Sequence, residues 1–348
     1  MQRPRRVEIG SVEVGPREQS STELEVVVDH PSRAHGRAHH EGDPEGAPDE
    51  GPEVALRTTR HGCSVCSASS AAIVSPGDCA SRSIDENAGV THRSLLGVVH
   101  LEPLPSAAEF GGSFDRVLEL ALADADALAK GGIDGIVVEN FGDAPFHRGD
   151  AADPVRPDVV AALAVVAREV RRATNLPVGV NCLRNDAHAA LGAAAVSGAK
   201  WIRVNVLTGS YVTDQGTIDG DAARIAEYRR LVAPDVKLLA DLMVKHAAPV
   251  APLDPVAAAR DLAERSGADG IIVSGSRTGE AVDAEFLTTV RDAVDGFPVW
   301  IGSGLDESNA ARLWPRCSGA IVGTAFKRDG RVWIDKVRSL RTLLDSLD

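Results

Sequence analysis

Glu139 and Asp241, two carboxylates 102 residues apart, each close a short apolar run, and so do Asn181, His100 and the pair Arg203 and Asn205. Lys245 and His246 follow Asp241 within five residues. These residue types suit proton-transfer chemistry. Glu139 or Asp241 can serve as general base, Lys245 or His246 as proton donor, and Arg203 with the asparagines as holder of an oxyanion. The bland alternative is a self-satisfied salt-bridge network, Arg203 pairing with Glu139 or Asp241.

A second set lies later. Ser274-Gly275-Ser276, Gly302-Ser303-Gly304 and Gly323-Thr324, with Lys327 close behind, are turns that can present several backbone amides together. Glycine lets backbone approach a ligand closely, and converging N–H groups favour an anion such as phosphate. Tight turns that need glycine for their own geometry are the competing explanation.

The elements that must carry these residues are eight apolar, strand-like runs: 95–101, 134–140, 177–182, 201–206, 236–242, 269–274, 298–302 and 319–324. Helical patterns separate them, as at Phe114, Val117, Leu118, Ala121, Leu122, Ala125 and Leu128. Asp254-Pro255 and Asp283 read as helix starts, and the last helix is expected around 335–347. The phrase Gly132-Ile133-Asp134-Gly135 recurs as Gly267-Ala268-Asp269-Gly270, a repeat two strand–helix units long. Strands alternating with helices imply an α/β fold with parallel pairing, here a (β/α)8 barrel of the TIM type over residues 93–348. Such a barrel gathers the carboxyl ends of its strands on one face, so both chemical sets converge there. Its lower inward layers are expected to hold branched apolar side chains. The loops 141–146 and 207–220 are long enough to act as lids.

The 348-residue chain carries a net charge of −13, which suits a soluble enzyme and argues against a nucleic-acid partner. No run approaches the ~18 apolar residues of a membrane span, and the expected location is the cytoplasm. Residues 1–92 are rich in Pro, Gly, Ser, Glu, Arg and His without sustained periodicity, which reads as a disordered extension. His61, Cys63, Cys66 and Cys79 within it could bind zinc, but lack the apolar residues of a foldable metal module. Cys182 and Cys317 read as buried thiols. No His-x-His or His-Glu-x-x-His spacing assigns a metal site, so a divalent ion stays open and the cofactor unknown. Lys200 and Lys237 fall at the wrong ends of their strands for a pocket, leaving Lys245 and Lys327.

The segments 97–105 (GVVHLEPLP), 138–146 (VENFGDAPF), 176–186 (LPVGVNCLRND), 203–209 (RVNVLTG), 213–216 (TDQG), 241–246 (DLMVKH) and 273–279 (VSGSRTG) resemble the BtpA family, also called BtpA/SgcQ. The resemblance covers Leu95 to the end and implies a TIM-type barrel. It also implies two kinds of role: one branch is tied to accumulation of photosystem I proteins at the thylakoid, with peripheral membrane association, while others accompany sugar-metabolism genes. It brings no settled catalytic residues, and the long segment before Leu95 departs from the family pattern. The expected function is an enzyme acting on a small phosphorylated metabolite, a sugar or nucleoside phosphate, by proton transfer, isomerisation or bond cleavage. The alternative is a non-catalytic assembly or stability factor for a membrane complex such as photosystem I. An acidic surface suits a homo-oligomer as well as a monomer.

Overall fold

A computed structural model of the chain describes residues 93–348 apart from Ser276 and Thr278. The expected extension 1–92, with His61, Cys63, Cys66 and Cys79, lies outside the described residues. Eight parallel strands close into a barrel: β1 (Ser94–His100), β2 (Gly135–Glu139), β3 (Val178–Asn181), β4 (Trp201–Val204), β5 (Lys237–Leu242), β6 (Gly270–Val273), β7 (Val299–Ile301) and β8 (Gly319–Val322). Each pairs with its sequence neighbours, and β8 returns to β1. The helices are α1 (Phe114–Gly131), α2 (Pro157–Thr174), α3 (Ala187–Ser197), α4 (Ala222–Val232), α5 (Pro255–Arg265), α6 (Ala284–Ala293), the single turn α7 (Ala310–Leu313) and α8 (Ile334–Asp345). The chain therefore folds as the (β/α)8 barrel its pattern implies.

The cap chemistry is visible at the expected starts. Asp254 and Asp283 accept the Val256 and Phe286 amides at the heads of α5 and α6, each satisfying a first-turn N–H that has no partner inside the helix. The repeated Gly-x-Asp-Gly phrase has a different job. Asp134 accepts the Leu95 amide at 2.7 Å and Asp269 accepts the Leu238 amide at 2.8 Å. Each repeat thus latches the second amide of the preceding odd strand at the amino end of the barrel, which explains the two-unit period. Arg341 and Arg229 bind the same two carboxylates from α8 and α4, tying the outer layer to the latch.

Most of the apolar core lies between strands and helices. The barrel interior is filled separately, by Leu96, Val98, Val137, Leu239, Ile272 and Ile321 around two indoles, Trp201 and Trp300. Branched residues were expected there and are present; the two indoles beside them have a steric reason. Gly135 and Gly179 stand against the Trp201 ring, and Gly270 and Gly319 against Trp300, so four missing side chains make room for two large ones. Interiors pack near crystal density, which makes this exchange of volume strict.

Of the two loops expected as lids, the first is pinned down. A 3-10 turn at Phe141–Asp143 is held by Asp143, whose carboxylate accepts the Leu104 amide at 2.8 Å and the Asn140 side chain at 3.0 Å. The second folds into strands Ser210–Thr213 and Gly216–Asp219, which join Ala247–Pro249 from the next loop in a small antiparallel sheet. Tyr211, Ile218, Val206 and Val244 form its own core.

A Cβ added at Gly179 would stand 2.0 Å from Trp201 Nε1. Gly179→Ala is therefore expected to destabilise the barrel by about 1–3 kcal/mol through overpacking. Denaturant titration checks it, and adding Trp201→Phe should return part of the loss, since the clash is with the indole.

Candidate active site

Alternation along the strands builds the site. Residues two apart share a face, so the inward series continues from the interior core as Leu96, Val98, His100 on β1 and Val137, Glu139 on β2. It runs likewise through Gly179, Asn181 on β3, Trp201, Arg203 on β4 and Leu239, Asp241 on β5. On the last three strands the same step ends at Ser274, Gly302 and Gly323, just past β6, β7 and β8. Register makes His100 the partner of Glu139, Glu139 of Asn181, and Asn181 of Arg203. The polar layer is thus crowded on strands one to five and nearly empty of side chains on six to eight. A cavity of about 170 Å³ occupies the difference, lined by His100, Glu139, Arg203 and Lys245 on one side and by Gly302, Ser303, Gly304, Gly323, Thr324 and Ala325 on the other.

Arg203 and Asp241 are the anchor of this layer. Nε and Nη2 of Arg203 donate to the two carboxylate oxygens of Asp241, both at 3.0 Å, and the side chains are 6% and 2% exposed. Asn205 donates to the same carboxylate at 2.8 Å. Burial alone would lower the guanidinium; Asp241 and Glu139 overcome that and hold it above its ordinary value. Asp241, with both oxygens engaged, does not line the cavity. Of the two carboxylates offered by the sequence as base, Glu139 is the one that faces the cavity. Asn181 donates to its Oε2 at 2.6 Å.

His100 lies beside Glu139, with Nε2 3.8 Å from Oε1. Burial, and the Lys327, Lys245 and Arg203 cations after it, push the imidazole down to about 4 against the pull of Glu139. The ring is therefore neutral near pH 7. Lys327 Nζ sits 2.7 Å from Nδ1; an ammonium can only donate, which places the remaining ring proton on Nε2, facing Glu139. Phe141 stacks on the ring with centroids 4.5 Å apart. Nothing in the sequence brings Lys327 to His100 across 227 residues.

Lys245 reaches the cavity from the loop after β5, where burial and the Arg203 cation lower its ammonium to about 8. Arg184, a buried residue that the sequence reading did not single out, donates to the Lys245 carbonyl at 2.5 Å. His246 is exposed and is not among the lining residues, so of the two donors offered, Lys245 is the one at the cavity.

Glycine is required by the geometry of two of these turns. A Cβ on Gly304, where φ is +74°, would meet the Glu280 carbonyl at 2.1 Å, and one on Gly275 would meet the same oxygen at 2.4 Å; these two glycines pack the turns together. Among the described residues, the N–H groups of Ser303, Gly304, Thr324 and Ala325 donate to no protein acceptor, and the buried hydroxyls of Ser274 and Ser303 have no partner. Buried polar groups are normally satisfied, which makes the two serine hydroxyls exceptions on this wall. Ser276 lies outside the described residues. No group of three or more His, Cys, Asp or Glu side chains among the described residues converges as a metal site. Cys182 and Cys317 are buried free thiols, Cys317 pushed by burial up to about 12.

Removing one partner of a buried ion pair strands the other charge, at a cost of about 3–5 kcal/mol. Asp241→Asn should lose stability on that scale, whereas Glu139→Gln, whose partner is an amide, should lose much less; paired melting curves check the contrast.

The BtpA family model matches residues 91–345. Photosystem I biogenesis protein BtpA of Synechocystis sp. is 47% identical over 250 residues, covering 71% of this chain and 86% of that protein. An uncharacterised protein of Pyrococcus furiosus is 42% identical over 240 residues, covering 69% and 88%. Among solved structures, thiamine phosphate pyrophosphorylase from Pyrococcus furiosus superposes with a TM-score of 0.47 at 16% identity, covering 74% of this chain and 98% of that one. With the family model spanning the whole barrel and these relatives matched along most of their length, the chain belongs to the BtpA family.

Proposed function

We propose that this protein is an enzyme acting on a small phosphorylated metabolite, of the sugar or nucleoside phosphate class, by proton transfer leading to isomerisation or bond cleavage. One observation carries the reading: a single cavity has proton-transfer groups on one wall and unpaired backbone N–H groups on the other. A phosphate held by Ser303, Gly304, Thr324 and Ala325 leaves the rest of the ligand facing Glu139, His100 and Lys245. Glu139, with Oε2 held by Asn181, is placed to take a proton through Oε1. Arg203, its charge secured by Asp241, and the Nε2–H of neutral His100 are placed to stabilise the oxyanion that results. Phe141 at the mouth offers an apolar face to the ligand.

The name of the Synechocystis relative favours a second reading, an assembly or stability factor for a membrane complex. No helix among the described residues is long and apolar enough to cross a membrane, so this role would act from the surface of the complex. It predicts that pocket substitutions leave the role intact. Restoration of photosystem I levels in a strain lacking the Synechocystis relative, by the variant carrying Glu139→Gln and Lys245→Met, would select it over catalysis.

The first reading is tested by melting the full chain with inorganic phosphate and with a panel of sugar and nucleoside phosphates. A ligand at ~100 times its dissociation constant adds about 2.7 kcal/mol, a rise of roughly 5–10 °C for a domain this size. Ser303→Glu, which puts a like charge in the cradle, should abolish the shift. Glu139→Gln should keep the shift and lower turnover of the bound compound about 10²- to 10⁴-fold. A panel in which no phosphorylated compound raises the melting temperature would overturn the proposal.

A further inference from the structure

We propose that Lys245 is a nucleophile that forms an imine with the carbonyl carbon of a phosphorylated aldehyde or ketone. This rests on the reading of the phosphate cradle and narrows the substrate class within it.

The lysines of the described residues separate by their surroundings. Lys130 and Lys237 pair with Asp126 and Asp269, Lys336 donates to a backbone carbonyl, and Lys327 is committed to His100. Lys200 is exposed at the amino end of β4, away from the site. Lys245 alone both lines the cavity and has an ε-amine with no carboxylate within ion-pair distance and no acceptor among the described residues. An unpaired, partly buried ammonium beside two guanidiniums is poorly stabilised, and the groups facing it are Arg203 and Arg184 against Asp241 and Glu139, with His100 neutral. At an ammonium value of about 8, roughly one amine in ten is unprotonated at pH 7, several hundred times the fraction of an ordinary lysine.

The backbone on either side of Lys245 is constrained. Met243 and His246, which bracket it, both adopt left-handed φ of 55°, a conformation that non-glycine residues keep only where the surroundings impose it. The Arg184 guanidinium fixes the intervening carbonyl. Lys245 is thus presented from a constrained turn across the cavity from the cradle.

The step balances with groups at hand. The Lys245 ammonium releases one proton to water, the free amine attacks the carbonyl carbon, the π electrons move to oxygen, and oxygen takes one proton back from water on the way to a carbinolamine. Glu139 accepts the proton lost from nitrogen and returns it to the hydroxyl, which leaves as water. Carbonyl compound and lysine ammonium become protonated imine and one water, with no oxidant or reductant. The cationic imine then withdraws electrons from the neighbouring carbon–hydrogen or carbon–carbon bond, which is what proton removal or bond cleavage at that carbon requires.

The experiment incubates the full chain with dihydroxyacetone phosphate, glyceraldehyde 3-phosphate or ribose 5-phosphate, each with sodium borohydride, and maps adducts by peptide mass spectrometry. The expected result is a reduced adduct on Lys245, suppressed by excess inorganic phosphate, absent in Lys245→Met, and formed faster as pH rises through about 8. In parallel, competitive acetylation of the unliganded protein should titrate Lys245 near 8. No Lys245 adduct with any of the three sugars, or labelling no greater than at Lys200, overturns the imine. Because phosphate binding is read separately by melting, a phosphate shift without trapping rejects the imine and spares the phosphate reading. Trapping of unphosphorylated dihydroxyacetone as efficiently as its phosphate supports the nucleophile and rejects the cradle.

Discussion

The inward alternation of eight closed strands governs everything at the carboxyl face. Once Trp201 and Trp300 occupy the interior, the next inward residue of every strand belongs to one layer. That layer holds five polar side chains on strands one to five, a serine after β6 and two glycines after β7 and β8. Gly302 and Gly323 supply no side chain where strands one to five supply large ones, and both line the cavity. A Cβ on Gly302 would meet Ile272 at 2.3 Å and Ser274 Oγ at 2.4 Å, and one on Gly323 would meet the His100 ring at 3.0 Å.

A crowded polar layer above an apolar core is electrostatically demanding, and the charges are arranged accordingly. Arg203 and Asp241 neutralise each other through two parallel hydrogen bonds, the geometry in which a buried pair recovers most of its desolvation. With that pair settled, the remaining groups are set by what they face. Lys327 orients His100, Asn181 holds Glu139, and Lys245 is left without a counter-ion. The side chains of this layer therefore differ in what they face. Arg203, Asp241 and Asn205 form one hydrogen-bonded network, while Glu139, His100, Lys245 and Arg203 itself line the cavity.

A similar division holds for the glycine turns. Gly275 and Gly304 close two loops against one carbonyl, that of Glu280, while Ser303, Gly304, Thr324 and Ala325 keep unpaired amides at the cavity. Packing of the turns is what holds those amides in one place.

The barrel was legible from sequence because its signals are local: apolar runs, helical spacing, Asp254 and Asp283 as caps, and a repeat whose aspartates latch neighbouring strands. The candidate residues were legible for the same reason, since each ends a recognisable strand and a parallel barrel sends all strand ends to one face. What each side chain does there was decided by tertiary structure alone. Asp241 and Glu139 look equivalent along the chain, and only the placement of Arg203 and Asn205 engages one and leaves the other at the cavity. Lys327 meets His100, and Arg184 fixes Lys245, across separations that no local pattern encodes. Periodicity specifies the direction in which a side chain points, whereas its partner depends on strand register and barrel closure, which bring distant segments within hydrogen-bonding distance.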